Sequence, residues 1–180
     1  MRFFKRFKRK CPDGTIHWIY RSIDDAFPLI VADKENSLNS KVNVDSIAAA
    51  EIGSKHISKI KGLLFGLDSA NQNIMIEFRA VYSVYQAEPC GNAKFFSDKI
   101  SEIIDDHKLL RQLKTKIEGL VNILNTNNIS EEGFLAAYVN IINDYGKYLP
   151  QEAAKVQIEL MARESKKWQN KKEGGTDEDG

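Results

Sequence analysis

Residues 93–124, AKFFSDKISEIIDDHKLLRQLKTKIEGLVNIL, hold the reading that decides the fold. Phe96, Ile100, Ile103, His107 and Leu110 recur at spacings of three and four, and Leu113, Ile117, Leu120 and Leu124 continue the stripe after a one-residue slip. That is the period of one helix face. The other positions carry Lys99, Glu102, Asp105, Asp106, Lys108, Arg111, Lys114, Lys116 and Glu118, so they face water. At 1.5 Å per residue the helix is roughly 48 Å long. A helix of that length serves as the spine of a bundle or as an oligomer contact.

Working outward, the period persists on both sides. From Asp45 on, Ala50, Gly53, Ile57, Ile60, Leu64 and Leu67 define one helix face. Ala48, Ala49, Ala50, Gly53 and Ser54 make its early half small enough for a close neighbour. Gly62 and Gly66, around LLF, point to close packing or to an early helix end. Asp68–Asn73 interrupts the pattern. Ile74, Phe78, Val81, Tyr82 and Tyr85 resume helical spacing, although Ile74, Ile76, Phe78, Ala80 and Tyr82 also alternate as a strand would. The length of the run favours helix over residues 74–86, and Pro89-Cys90-Gly91-Asn92 ends it. The aromatic set Phe78, Tyr82, Tyr85, Phe95 and Phe96 around that turn reads as core.

Beyond the spine, Asn125–Asn128 is a turn, and Ser130 is an N-cap followed by Glu131 and Glu132 at the positive end of a helix dipole. Ile129 and Phe134 have the spacing of a hydrophobic staple. Phe134, Tyr138, Ile141 and Tyr145 form a buried stripe, and Gly146 suits the exit. Pro150 starts a last helix on which Ala154, Ile158, Met161 and Trp168 share a face.

The N-terminal part differs. Pro12-Asp13-Gly14 is turn chemistry, Thr15–Tyr20 is β-branched and aromatic, and Phe27–Val31 is a second candidate strand confined to an edge by Pro28. ADKENSLNSK, residues 32–41, reads as a loop. The expected fold is mainly α: a helical bundle of four to five helices with a small extended or β-hairpin N-terminal element. Residues 1–42 form a basic arm and short extended segment, 43–169 the helical domain, and 170–180 a disordered polar tail.

Composition bounds the function. Lys+Arg 26 against Asp+Glu 25 leaves a net charge of +1, so no global field points to nucleic acid or membrane. The chain has two cysteines, Cys11 and Cys90, too few for a disulfide framework or an all-cysteine zinc site. The basic start MRFFKRFKRK is followed by CPDGTIHWIY and not by the apolar stretch of a signal peptide. Runs such as AFPLIVA are too short to cross a membrane. A cytoplasmic protein with reduced thiols is the expectation.

Three groups of residues are candidates for chemistry. Arg2, Lys5, Arg6, Lys8, Arg9 and Lys10 interleave with Phe3, Phe4 and Phe7. As a helix this arm suits an anionic lipid surface, as an extended arm it suits nucleic acid, and as a strand or flap it covers core. Cys90, just before the long helix, is the candidate for a reactive thiol, against a plain turn residue beside Gly91. His17, His56 and His107 are too scattered for a metal site, and His107 reads as a core-edge residue. Adjacent acids such as Asp24-Asp25, Asp105-Asp106 and Glu131-Glu132 diverge on a helix and do not converge on a substrate. No phosphate loop, nucleophile elbow or zinc-protease motif is present, and no cofactor is implied. The expectation is a non-enzymatic protein–protein interaction module (adaptor, regulator or structural subunit), self-associating through the long helix or the small-residue face of the first. The alternatives are a peripheral binder of membrane lipid or nucleic acid through residues 2–10, and a thiol enzyme using Cys90.

Overall fold

Pro12-Asp13-Gly14 turns the chain back on itself. Gly14 takes a φ of 81°, a left-handed conformation that glycine reaches without a Cβ penalty. The Asp13 carboxylate accepts from Thr15 Oγ1 at 2.6 Å and from Thr15 N at 2.9 Å, and these bonds hold it below the usual carboxylate range. Strands β1 (Arg6–Lys10) and β2 (Ile16–Tyr20) leave the turn antiparallel, with Lys8 opposite Trp18 and Lys10 opposite Ile16. The computed structural model describes residues 6–20, 51–126 and 129–173. The expected strand at Phe27–Val31 and the loop 32–41 lie outside the described residues.

Four α-helices follow: α1 (Glu51–Ala87), α2 (Ala93–Asn125), α3 (Glu131–Tyr145) and α4 (Pro150–Glu173), with a 3-10 turn at Gly146–Tyr148 before the last. The protein is mainly α with a small N-terminal hairpin, as its hydrophobic period predicts. Among the described residues no helix is long and apolar enough to cross a membrane. The chain divides into two compact units, one of residues 1–43 and 67–118, the other of 44–66 and 119–180. Both long helices contribute to each.

In the first unit, Leu67, Ile74, Phe78, Val81, Tyr82 and Tyr85 of α1 are buried, as are Phe96, Ile100, Ile103, His107, Leu110, Leu113 and Ile117 of α2. The rings of Tyr85 and Phe96 stack at 4.1 Å across the turn between the helices. That turn is closed by Asn92, whose N–H donates to the Glu88 carbonyl and whose Nδ2 donates to the Val84 carbonyl at 3.1 Å. Two expectations change here, and the preference for helix over residues 74–86 holds. Asp68–Asn73 does not break α1: Gln72 Nε2 donates to Asp68 Oδ2 at 3.0 Å, so these polar side chains satisfy each other one turn apart while Ala70 and Asn71 continue the buried face. The alternation at residues 74–82 belongs to a helix, and Ile76 is left 64% exposed. Phe95, grouped with the core aromatics, is 43% exposed.

The cysteines bring a further correction. Cys11 and Cys90 are not reduced thiols; they form a disulfide, 79 positions apart in sequence and 5.7 Å apart between Cα atoms. Closing so long a loop removes on the order of 4 kcal/mol of chain entropy from the unfolded state.

In the second unit, Ile60, Leu63 and Leu64 of α1 and Leu120, Val121 and Leu124 of α2 are buried with Phe134, Tyr138, Ile141, Ile142 and Tyr145 of α3. Ser130 caps α3 as predicted, its Oγ accepting from Gly133 N at 3.1 Å. Gly146 marks the helix exit as predicted, though not in a left-handed conformation: its φ is −55° and the chain tightens into the 3-10 turn.

Leu110, fully buried in the α2 stripe, sets a test of this packing. Leu110→Ala is expected to lower unfolding free energy by about 2–5 kcal/mol, read from the urea midpoint at unchanged m-value.

Candidate functional site

Helix α4 has a side left open, and its first two turns explain how it is held. Leu149, just before the helix, is buried, and a Cβ on Gly66 of α1 would come within 2.5 Å of its Cδ2. Glu152, one turn in, is 3% exposed. Its Oε2 accepts from Tyr138 Oη of α3 at 2.5 Å and its Oε1 from Lys155 Nζ at 2.5 Å. A Cβ on Gly62 would collide with this carboxylate. The glycine spacing noticed in the sequence is therefore close packing, with a carboxylate as the neighbour. Burial first, then the hydrogen bond to Glu152, pushes the Tyr138 phenol far above its usual range, so it remains a donor.

Further along, Lys59 of α1 pairs with Glu159 of α4 at 2.9 Å and lies 4.9 Å from the centre of the Tyr138 ring. Lys59, Glu159 and Arg163 join Leu135, Val139 and Leu160 around a cleft of about 410 Å³ between α3 and α4. At the other end of α3, His56 stacks on Phe134 at 4.9 Å and meets Glu131 at 3.0 Å through Nε2. The backbone of α1 leaves helical geometry at His56, which marks a kink there. Lys55 Nζ reaches Glu131 at 3.4 Å. These two partners, His56 before Lys55, hold the Glu131 carboxyl below its usual range. Sequence accounts for Glu131 by the helix start alone and misses this pairing.

Past Val156 the character of α4 changes. Every residue from Gln157 to Gln169 is exposed. Ile158 is 67%, Met161 64% and Trp168 68% exposed. With Ala154 and Ser165 they occupy one uncharged line at spacings of four, three, four and three. Glu152 precedes Met161 by nine residues, which at 3.6 residues per turn places it on the opposite side of the helix. One face of α4 is thus anchored in the unit and the other carries an uncovered apolar stripe.

The remaining candidates are placed as follows. Arg2, Phe3, Phe4 and Lys5 lie outside the described residues, whereas Arg6, Phe7, Lys8, Arg9 and Lys10 form β1 and not an amphipathic helix, with Lys8, Arg9 and Lys10 exposed. Cys90 is bonded to Cys11, so this form holds no free thiol nucleophile. The histidine rings are engaged elsewhere: His56 with Glu131, and His17 with Thr15 Oγ1 at 3.2 Å. His107 is buried in the α2 stripe. Of the faces expected to support self-association, the α2 stripe is core within the chain; on the small-residue face of the first helix, Ala48, Ala49 and Ala50 lie outside the described residues, Gly53 is buried and Ser54 exposed.

Two substitutions test the anchorage. Tyr138→Phe removes a donor from a buried carboxylate and is expected to lower stability by about 1–3 kcal/mol in chemical denaturation. Because Glu131 is held low, its stabilisation is present above the ordinary carboxylate range and is lost as pH falls through the lowered folded value. Glu131→Gln should therefore flatten the decline in thermal midpoint between about pH 5 and pH 3 relative to the wild type. Comparison of the chain with protein-family models, curated proteins and solved structures finds no match.

Proposed function

We propose that this protein is a non-enzymatic helical interaction module that pairs with a second copy of itself through the open face of α4. The observation that carries this reading is the line Ala154, Ile158, Met161, Ser165 and Trp168, uncharged and uncovered on a helix whose opposite side is anchored. Spacings of four and three are those of a coiled-coil seam. A two-fold interface must be complementary to itself. Met161 has Ala154 seven residues before it and Trp168 seven after, about 10.5 Å each way along the axis. An antiparallel pair centred on Met161 sets each Trp168 against the small Ala154 of the other copy. Ile158 falls opposite Ser165 to within one residue, large against small again. A parallel pair in register would crowd Trp168 on Trp168 and leave Ala154 facing Ala154. The seam brings no charge against its like.

Three large side chains make a small seam beside the ~800 Å² per partner of a standard stable interface, so the pairing is reversible. The role is that of an adaptor or structural subunit whose association depends on concentration. A cytoplasmic setting, expected from the sequence, is compatible with the disulfide if that bond turns over, because cytosolic disulfides are mostly transient or redox-sensing.

Sedimentation equilibrium tests the reading. The mass should rise with concentration from 20.4 kDa toward twice that value, and Met161→Lys, at an exposed site that leaves the fold intact, should keep the chain monomeric throughout. A wild type that stays monomeric at about 100 μM and above, or a Met161→Lys variant that associates equally well, overturns it.

A further inference from the structure

The Cys11–Cys90 bond joins two segments that differ in how firmly they are built. Cys90 sits in the turn between α1 and α2, whose flanking helices carry the buried Tyr82, Tyr85 and Phe96. Cys11 ends β1 and is 4% exposed. Apart from Cys11 and the half-buried His17, the hairpin residues from Lys8 to His17 are exposed. A two-stranded hairpin of five-residue strands is marginal by itself. Of the two sulfur-bearing residues, Cys90 is the half-buried one and Cys11 the buried one, which directs an incoming nucleophile to Cys90.

We propose that Cys11–Cys90 is a thiol–disulfide exchange site, opened at Cys90 by a dithiol reductant, and that opening it releases the N-terminal hairpin from the α1–α2 turn. One thiolate of the dithiol attacks Cys90 Sγ, the protein S–S bond breaks, and Cys11 leaves as a thiolate that takes up a proton. The second thiol of the reductant, deprotonated, attacks its own sulfur in the mixed disulfide and expels Cys90, which is protonated in turn. The protein gains two electrons and two protons, and the dithiol leaves as a cyclic disulfide. The helices keep their apolar packing, because neither sulfur belongs to the stripes of α1 and α2. What changes is the tether of the strand bearing Lys8, Arg9 and Lys10. This inference does not depend on the α4 seam, which is read by a different measurement.

The experiment is done on the full native chain with and without excess dithiothreitol, combining maleimide labelling with hydrogen exchange read by mass spectrometry. The expected result is labelling of both cysteines without denaturant. Amides of residues 6–20 should then exchange at least about tenfold faster, with exchange in α1 and α2 unchanged. Cys90→Ser should reproduce the fast-exchanging hairpin without reductant. A bond that resists dithiothreitol until the whole chain unfolds overturns the proposal. So does reduction that leaves hairpin protection intact, and so does reduction that unfolds the helices.

Discussion

A carboxylate almost without access to water, Glu152, has to be matched where it lies, and the match fixes three helices of one unit. Tyr138 supplies an O–H from α3, Lys155 a cation from the same helix, and Gly62 of α1 the space for it to lie in. Removing any one of them leaves a buried polar group poorly satisfied, which costs more than an ordinary hydrogen bond contributes. Apolar packing alone tolerates sliding and rotation of a helix; a buried carboxylate with a single phenol in reach does not. The rotational setting of α4 follows from this contact, reinforced by Leu149 against Gly66 and by Lys59 with Glu159.

That setting has a consequence for the other side of the helix. With Glu152 and Val156 turned inward, Ile158, Met161 and Trp168 have to face out. Single exposed apolar residues need no explanation on a protein surface. Three at coiled-coil spacing, separated only by Ser165 and preceded by Ala154, form a surface a partner helix fits. An amphipathic helix normally turns such a stripe to its own core. In α4 the core-facing side is instead built around a carboxylate, and the stripe is left over. The self-association reading draws its support from this inversion.

The first unit is held by a different mixture of forces. Its helices pack through long apolar stripes and stacked rings, and its hairpin is joined to the turn between them by a covalent bond. Packing responds to temperature and denaturant; a disulfide responds to thiols. One unit thereby contains elements that answer to different chemical signals, and the exchange site proposed at Cys90 rests on that contrast.

Much of this fold is legible in one dimension. The helical period over residues 93–124, the Ser130 cap, the Pro12-Asp13-Gly14 turn and the break at Pro89 are local signals, and local backbone physics reads them correctly. One local reading fails for a local reason: Asp68–Asn73 looks like an interruption, but side chains one turn apart absorb it. The candidate surface was half visible. Spacing put Ala154, Ile158, Met161 and Trp168 on one face, and nothing in the sequence said which way that face points. The Cys11–Cys90 bond and the Glu131–His56 pair were not visible at all, since each joins residues more than seventy positions apart. The sequence by itself determined the helices, their caps and their apolar faces, because these depend on side chains within a few residues. Tertiary structure alone decided which apolar faces are covered, which cysteines meet and what Glu152 binds, because each is a contact between distant segments.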